Sequence, residues 1–90
     1  NRHNRKMKEE RPMLTPGELV LARFRRKGFS TRDIGALVGR DHGRIARLAK
    51  PKPEGTGGTI PPALHMPLLD AAAQCGVRLH PKELVMGGKL

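Results

Sequence analysis

Apolar residues in this chain recur at helical spacing in short bursts, each bounded by glycine or proline. Val20, Leu21 and Phe24 supply the apolar face of a first helix. Thr15-Pro16-Gly17-Glu18 carries its start signals: Thr15 as N-cap, Pro16 at the first helical position, and Glu18 where a capping box needs it. Gly28, which tolerates positive φ without steric cost, ends it. Ser30-Thr31-Arg32-Asp33 opens a second helix, with Asp33 in the capping-box place. Ile34, Leu37 and Val38 fall at i, i+3 and i+4 and are expected to share one buried face; Gly39 stops the helix. Asp41 caps a third helix, running to Ala49, in which Ile45, Leu48 and Ala49 repeat the same spacing. Pro51 and Pro53 forbid its continuation.

Residues 51–59 are rich in proline and glycine and read as a loop, stiff at first and mobile after. Beyond it, Leu64, Leu68, Leu69, Ala72 and Ala73 form a helical stripe. Pro67 breaks the pattern, which predicts a short turn and then a helix from about Met66 to Cys75, with Gly76 as its C-terminal stop. Val77 to Leu79 read as extended, and residues 80–84 as one last short helix. No strand pair is evident. The expected fold is an all-α domain of about five helices around a central helix-turn-helix. It divides into a flexible basic arm at residues 1–13, a core unit at 14–50, the loop at 51–59 and a C-terminal helical part at 60–90.

Charge changes this picture, because it is segregated. Residues 1–12 hold five basic against two acidic side chains, and residues 13–52 hold ten against three. Residues 53–90 hold three of each, so the whole excess of +10 lies in the first 52 positions. A charge spread for solubility would not divide this way; a polyanion-binding half joined to a neutral half would. The neutral half either completes the core or presents Met66, Leu69 and Leu84-Val85-Met86 to a second copy or to the transcription machinery. The core itself is modest, with two Phe and neither Trp nor Tyr. A domain this small gains from pairing with a second copy.

Two short helices joined by a tight turn, the second basic and exposed, are what reading of a DNA groove requires, since the B-form major groove admits one α-helix. The turn must be tight, which Gly39 permits, and the residue facing the second helix must be small, as Gly35 is. Ile34, Val38, Ile45 and Leu48 would lock the pair. Residues Phe29 to Arg40 resemble the first half of a helix-turn-helix of the phage Cro and repressor type, a pattern shared by resolvases, transposases and sigma-like regulators. Asp41 to Leu48 is similar to its second half. The runs Ile60-Pro61-Pro62-Ala63, Leu68-Leu69, Ala71 to Ala73, Gly76 to Leu79 and Glu83-Leu84 look like the tail of Cro-like regulators. The resemblance covers about residues 15–86. It departs where the family usually carries Ala (Gly35), an aliphatic residue (Arg40) and a Ser/Thr-rich recognition helix (Asp41-His42-Gly43 here).

The resemblance implies binding of double-stranded DNA by a bacterial or phage-like transcription regulator. His42, Gly43, Arg44 and Arg47 would face base edges. Arg44 and Arg47 suit guanine O6 and N7, with phosphate contact alone an equal alternative. Thr31, Arg32, Arg40, Lys50 and Lys52 would hold phosphates, which position without specifying. Arg2, Arg5 and Lys6 would reach DNA from the arm, unless the arm is an idle terminus. Arg23, Arg25, Arg26 and Lys27 either touch the DNA backbone or form a solvated face.

No nucleophile–base pair, carboxylate pair or phosphate-cradling loop points to an enzyme, and no cofactor is implied. His3, His42, His65 and His80 have no metal-ligand spacing with Cys75, which reads as a small core residue. A single cysteine excludes an internal disulfide and leaves a reduced cytoplasmic setting, at the bacterial nucleoid if DNA is the partner. No stretch has the ~18 apolar residues of a membrane span. Residue 1 is Asn, as in a trimmed or internal fragment. Two rivals stay open: a structural RNA-binding protein of ribosomal type, disfavoured by the confined charge and scarce aromatics, and a DNA-binding module cut from a recombinase or transposase.

Overall fold

The computed structural model describes residues 13–90. The proposed arm contacts Arg2, Arg5 and Lys6 lie outside the described residues. The fold is all-α. Among the described residues five α-helices follow one another: α1 (Pro16–Arg26), α2 (Thr31–Val38), α3 (His42–Ala46), α4 (His65–Cys75) and α5 (Glu83–Met86). Single 3-10 turns, Arg47–Ala49 and Pro62–Leu64, extend α3 and precede α4.

Local chemistry sets the helix starts. The Glu18 amide donates to Thr15 Oγ1 at 3.3 Å while the Thr15 amide donates to Glu18 Oε1 at 3.0 Å. The same reciprocal pair joins Ser30 and Asp33 at 3.2 and 2.9 Å. Each pair satisfies two amides that helix geometry leaves without partners. Hydrogen bonds from Ser30, its backbone amide foremost, hold the Asp33 carboxyl below its ordinary pKa. Asp41 is the N-cap of α3 by backbone conformation, but its side chain makes no capping bond. α3 is correspondingly short. Instead of continuing as α-helix to Ala49, the chain tightens at Arg47, whose carbonyl accepts from the Lys50 amide at 3.2 Å and the Thr56 amide at 3.0 Å.

One core spans both halves. Val20, Phe24, Ile34, Val38, Ile45 and Leu48 pack in the same cluster as Ile60, Leu64, Leu68, Ala71, Ala72, Val77 and Leu84. The Phe24 ring meets Phe29 edge-on, with centroids 6.3 Å apart. The C-terminal part therefore completes the core.

Several expected core positions shift. Leu19 is fully buried beside Val20 and Phe24, whereas Leu21 is only half-buried. Leu37 is 39% exposed, so the buried face of α2 narrows to Ile34, Gly35 and Val38. On α4 the inward stripe is Leu68, Ala71 and Ala72, while Ala73 is exposed and Leu69 half-buried. Leu84 is buried and leaves the proposed contact patch; Met66, Val85 and Met86 remain exposed. The loop at 51–59 is bound to the body rather than loose. The Gly55 amide donates to the Pro51 carbonyl, the Gly57 amide to Lys50, and the Gly17 amide on α1 to Gly58, each within 2.9 Å. The last helix begins at Glu83, not at residue 80, because Pro81 and Lys82 form a turn before it. Leu14 and Gly88 pair in one antiparallel bridge. Among the described residues no helix is long and apolar enough to cross a membrane.

Candidate nucleic-acid interface

The centre of the site is the packing of α2 against α3. Gly39 ends α2 in the left-handed conformation, φ 70°, which glycine alone adopts at no steric cost. The chain then folds back so closely that a Cβ on Gly35 would lie 2.6 Å from the Arg40 carbonyl oxygen and 3.3 Å from the His42 amide. Backbone therefore lies against backbone at this turn. Gly17 does the same for α1, where a Cβ would collide with the Leu48 carbonyl. These two contacts fix α3 and its 3-10 continuation from both sides. Ile45 and Leu48 supply the inward anchors, at 0% and 1% exposure.

With those side chains turned in, Ala46 and Ala49, the latter expected on the buried face, are half-buried, and the other positions of this segment face out. Asp41, His42, Arg44 and Arg47 are exposed and Gly43 is half-exposed. His42 Nδ1 lies 3.9 Å from Asp41 Oδ1, both side chains open to solvent. A Cβ on Gly43 would meet only the Asp41 carboxylate, at 2.9 Å. Among the described residues no packing requires glycine there, since a carboxylate at the end of an exposed side chain moves aside cheaply.

Arg40, Arg44 and Arg47 line one groove together with Leu48, Thr56, Pro61, Ala63 and Leu64. His42 and Gly43 do not line it. Lys50 and Lys52 are exposed on the segment that leaves the 3-10 turn, and Arg32 is exposed on α2. Thr31 is half-buried at the first position of α2, where the Asp33 carboxylate already caps Ser30. An anion approaching that helix end would meet like charge. Sequence reasoning did not find the second wall of the groove, Pro61 to Leu64, a segment it placed in the C-terminal helical part and the Cro-like tail.

Arg23 belongs to neither of its expected roles. Its guanidinium grips Glu83 with two bonds, at 2.6 and 2.7 Å, and also donates to the Arg78 and Lys89 carbonyls. That pairing holds the Glu83 carboxyl below its ordinary pKa, assisted by the His80 amide. Arg23 thus fastens α5 to α1. Arg25, Arg26 and Lys27 are exposed. Among the described residues no group of three His, Cys, Asp or Glu side chains is placed to hold a metal ion. The Cys75 thiol is free and half-buried against the core.

Comparison with known proteins finds no matching family model, no matching curated protein and no matching solved structure.

Proposed function

We propose that this chain binds double-stranded DNA sequence-specifically, as a transcription regulator of bacterial or phage-like type, with α3 and its 3-10 continuation in the major groove. One observation carries the reading: a short helix, braced by backbone contact with α2 and α1, keeps its apolar side chains inward and its arginines outward. A helix that enters a groove must be held rigidly, because base readout depends on side chains reaching fixed positions. Arg44 and Arg47 supply the planar forks that match guanine edges. Arg32, Arg40, Lys50 and Lys52 supply phosphate contacts around them. The surrounding segment of residues 13–52 carries a net +7, which draws the protein to a polyanion before any base is read. On this reading the protein works at the nucleoid.

Selection from random duplexes, followed by titration of the selected site at several salt concentrations, tests the reading. One enriched motif is expected, bound roughly 10³-fold or more above unrelated duplex, with affinity falling linearly in log salt. Failure to enrich any motif, or tighter binding to structured RNA than to the best duplex, would overturn it.

A further inference from the structure

The groove beside α3 has the properties of a small-molecule site. Its volume is about 380 Å³, within the range of ligand pockets. One wall is the 3-10 continuation of α3, with Arg47 and Leu48, and the other is the turn carrying Pro61, Ala63 and Leu64. Apart from Thr56 and the arginines, the lining is apolar. The rim carries Arg40, Arg44 and Arg47, and none of these three guanidiniums has a carboxylate partner among the described residues. Arg40 donates only to the neighbouring Gly39 carbonyl, at 3.3 Å.

An apolar floor under a cationic rim selects one chemical class: an apolar body ending in an anion. The body displaces water from Pro61 and Ala63, both exposed, and the carboxylate takes paired N–H bonds from the guanidiniums. We propose that this groove binds a small amphipathic anion, an aryl or short acyl carboxylate, and that its occupancy withdraws Arg44 and Arg47 from DNA. The first half stands on the groove alone; the second rests on the DNA reading above.

The test titrates 2-naphthoate into the isotope-labelled full chain and follows backbone amide shifts, with 2-naphthylmethanol as the uncharged counterpart. Saturable one-to-one binding is expected, with shifts centred on Leu48, Thr56, Ala63 and Leu64 and the alcohol weaker by roughly tenfold or more. Ala63→Glu, at an exposed position, places a carboxylate among the arginines from within the chain. It should abolish naphthoate binding and leave the helical circular dichroism unchanged. Should that variant misfold, Arg40→Gln serves instead, with naphthoate binding weakened several-fold. Shifts scattered without saturation, equal binding of acid and alcohol, or indifference to both variants overturn the site. In a duplex assay, naphthoate should weaken DNA binding by the wild-type chain, and Ala63→Glu should weaken it without naphthoate, with no further loss when naphthoate is added. Independent binding of both ligands overturns the competition. A chain that takes naphthoate but no duplex keeps the groove and overturns the DNA reading instead.

Discussion

Residues 13–52 and residues 53–90 bury their side chains in one core yet dispose of their charges in opposite ways. The first segment carries ten basic side chains against three acidic, the second three of each. In the C-terminal segment the charge is put to structural use: Glu83 is gripped by Arg23 and accepts from the His80 amide. In the first segment Arg23 alone is drawn into that network, while Arg40, Arg44 and Arg47 stand around a groove without carboxylate partners among the described residues. The contrast teaches that composition alone does not mark a binding surface. A cation becomes available to a ligand only when the fold gives it no anion of its own: Arg23 is half-buried on Glu83, whereas Arg47 is exposed.

The comparison is broken most severely through the shared core. Leu68→Ala, at a fully buried position of the neutral half, is expected to cost about 2–5 kcal/mol. Because Leu68 lies in the same cluster as Ile45 and Leu48, urea unfolding should remain a single transition, and the basic half should be lost with it. Two separated transitions would mean that the halves are independent. Next comes Gly35→Ala, which brings a methyl group against the Arg40 carbonyl and should cost about 1–3 kcal/mol, read as a lowered urea midpoint. Little or no loss would show that the turn can retreat from α2.

Arg47→Ala and Lys50→Ala sharpen the contrast on the basic side. On the proposed DNA-binding function, the first should cost about 1–3 kcal/mol of discrimination at one base position. The second should weaken all duplexes alike and reduce the salt slope by about one unit. Identical behaviour of the two would remove the division between readout and positioning. On the neutral side, Glu83→Gln should cost about 1–2 kcal/mol near neutral pH, between the values of exposed and fully buried pairs. The Glu83 pKa is lowered in the folded state, so the stabilisation is full above the usual glutamate range and is lost as the pH falls through the lowered value. The variant should therefore show a flatter loss of stability between about pH 5 and 2 than the parent, measured by thermal unfolding. An unchanged acid slope would mean that the pair contributes nothing.

The helix starts were legible in the sequence because capping is a matter of neighbours three residues apart, as Thr15 with Glu18 and Ser30 with Asp33 show. Helix stops at Gly39 and Gly76 were legible for the same reason. The facing of each helix was less so. Spacing tells which residues share a side but not which side meets the core, so Leu37 and Ala73 turned outward while Leu19 and Ala71 turned inward. The partner of Arg23 lies 60 residues along the chain, and no local pattern announces it. The groove at Arg40, Arg44 and Arg47 was half visible. Its arginines were evident from their helical positions, whereas Pro61 to Leu64 reach it only through the tertiary fold.

The close approach at Gly35 bears on how such a surface can change over generations. Spacing set by main-chain atoms does not depend on which side chains point away from it. If the chain binds duplex DNA as proposed, substitutions at His42, Arg44 or Arg47 would alter its preference without loosening the platform that holds them. Preference and scaffold can drift separately, and a new target would be reached by exchanging a few outward residues.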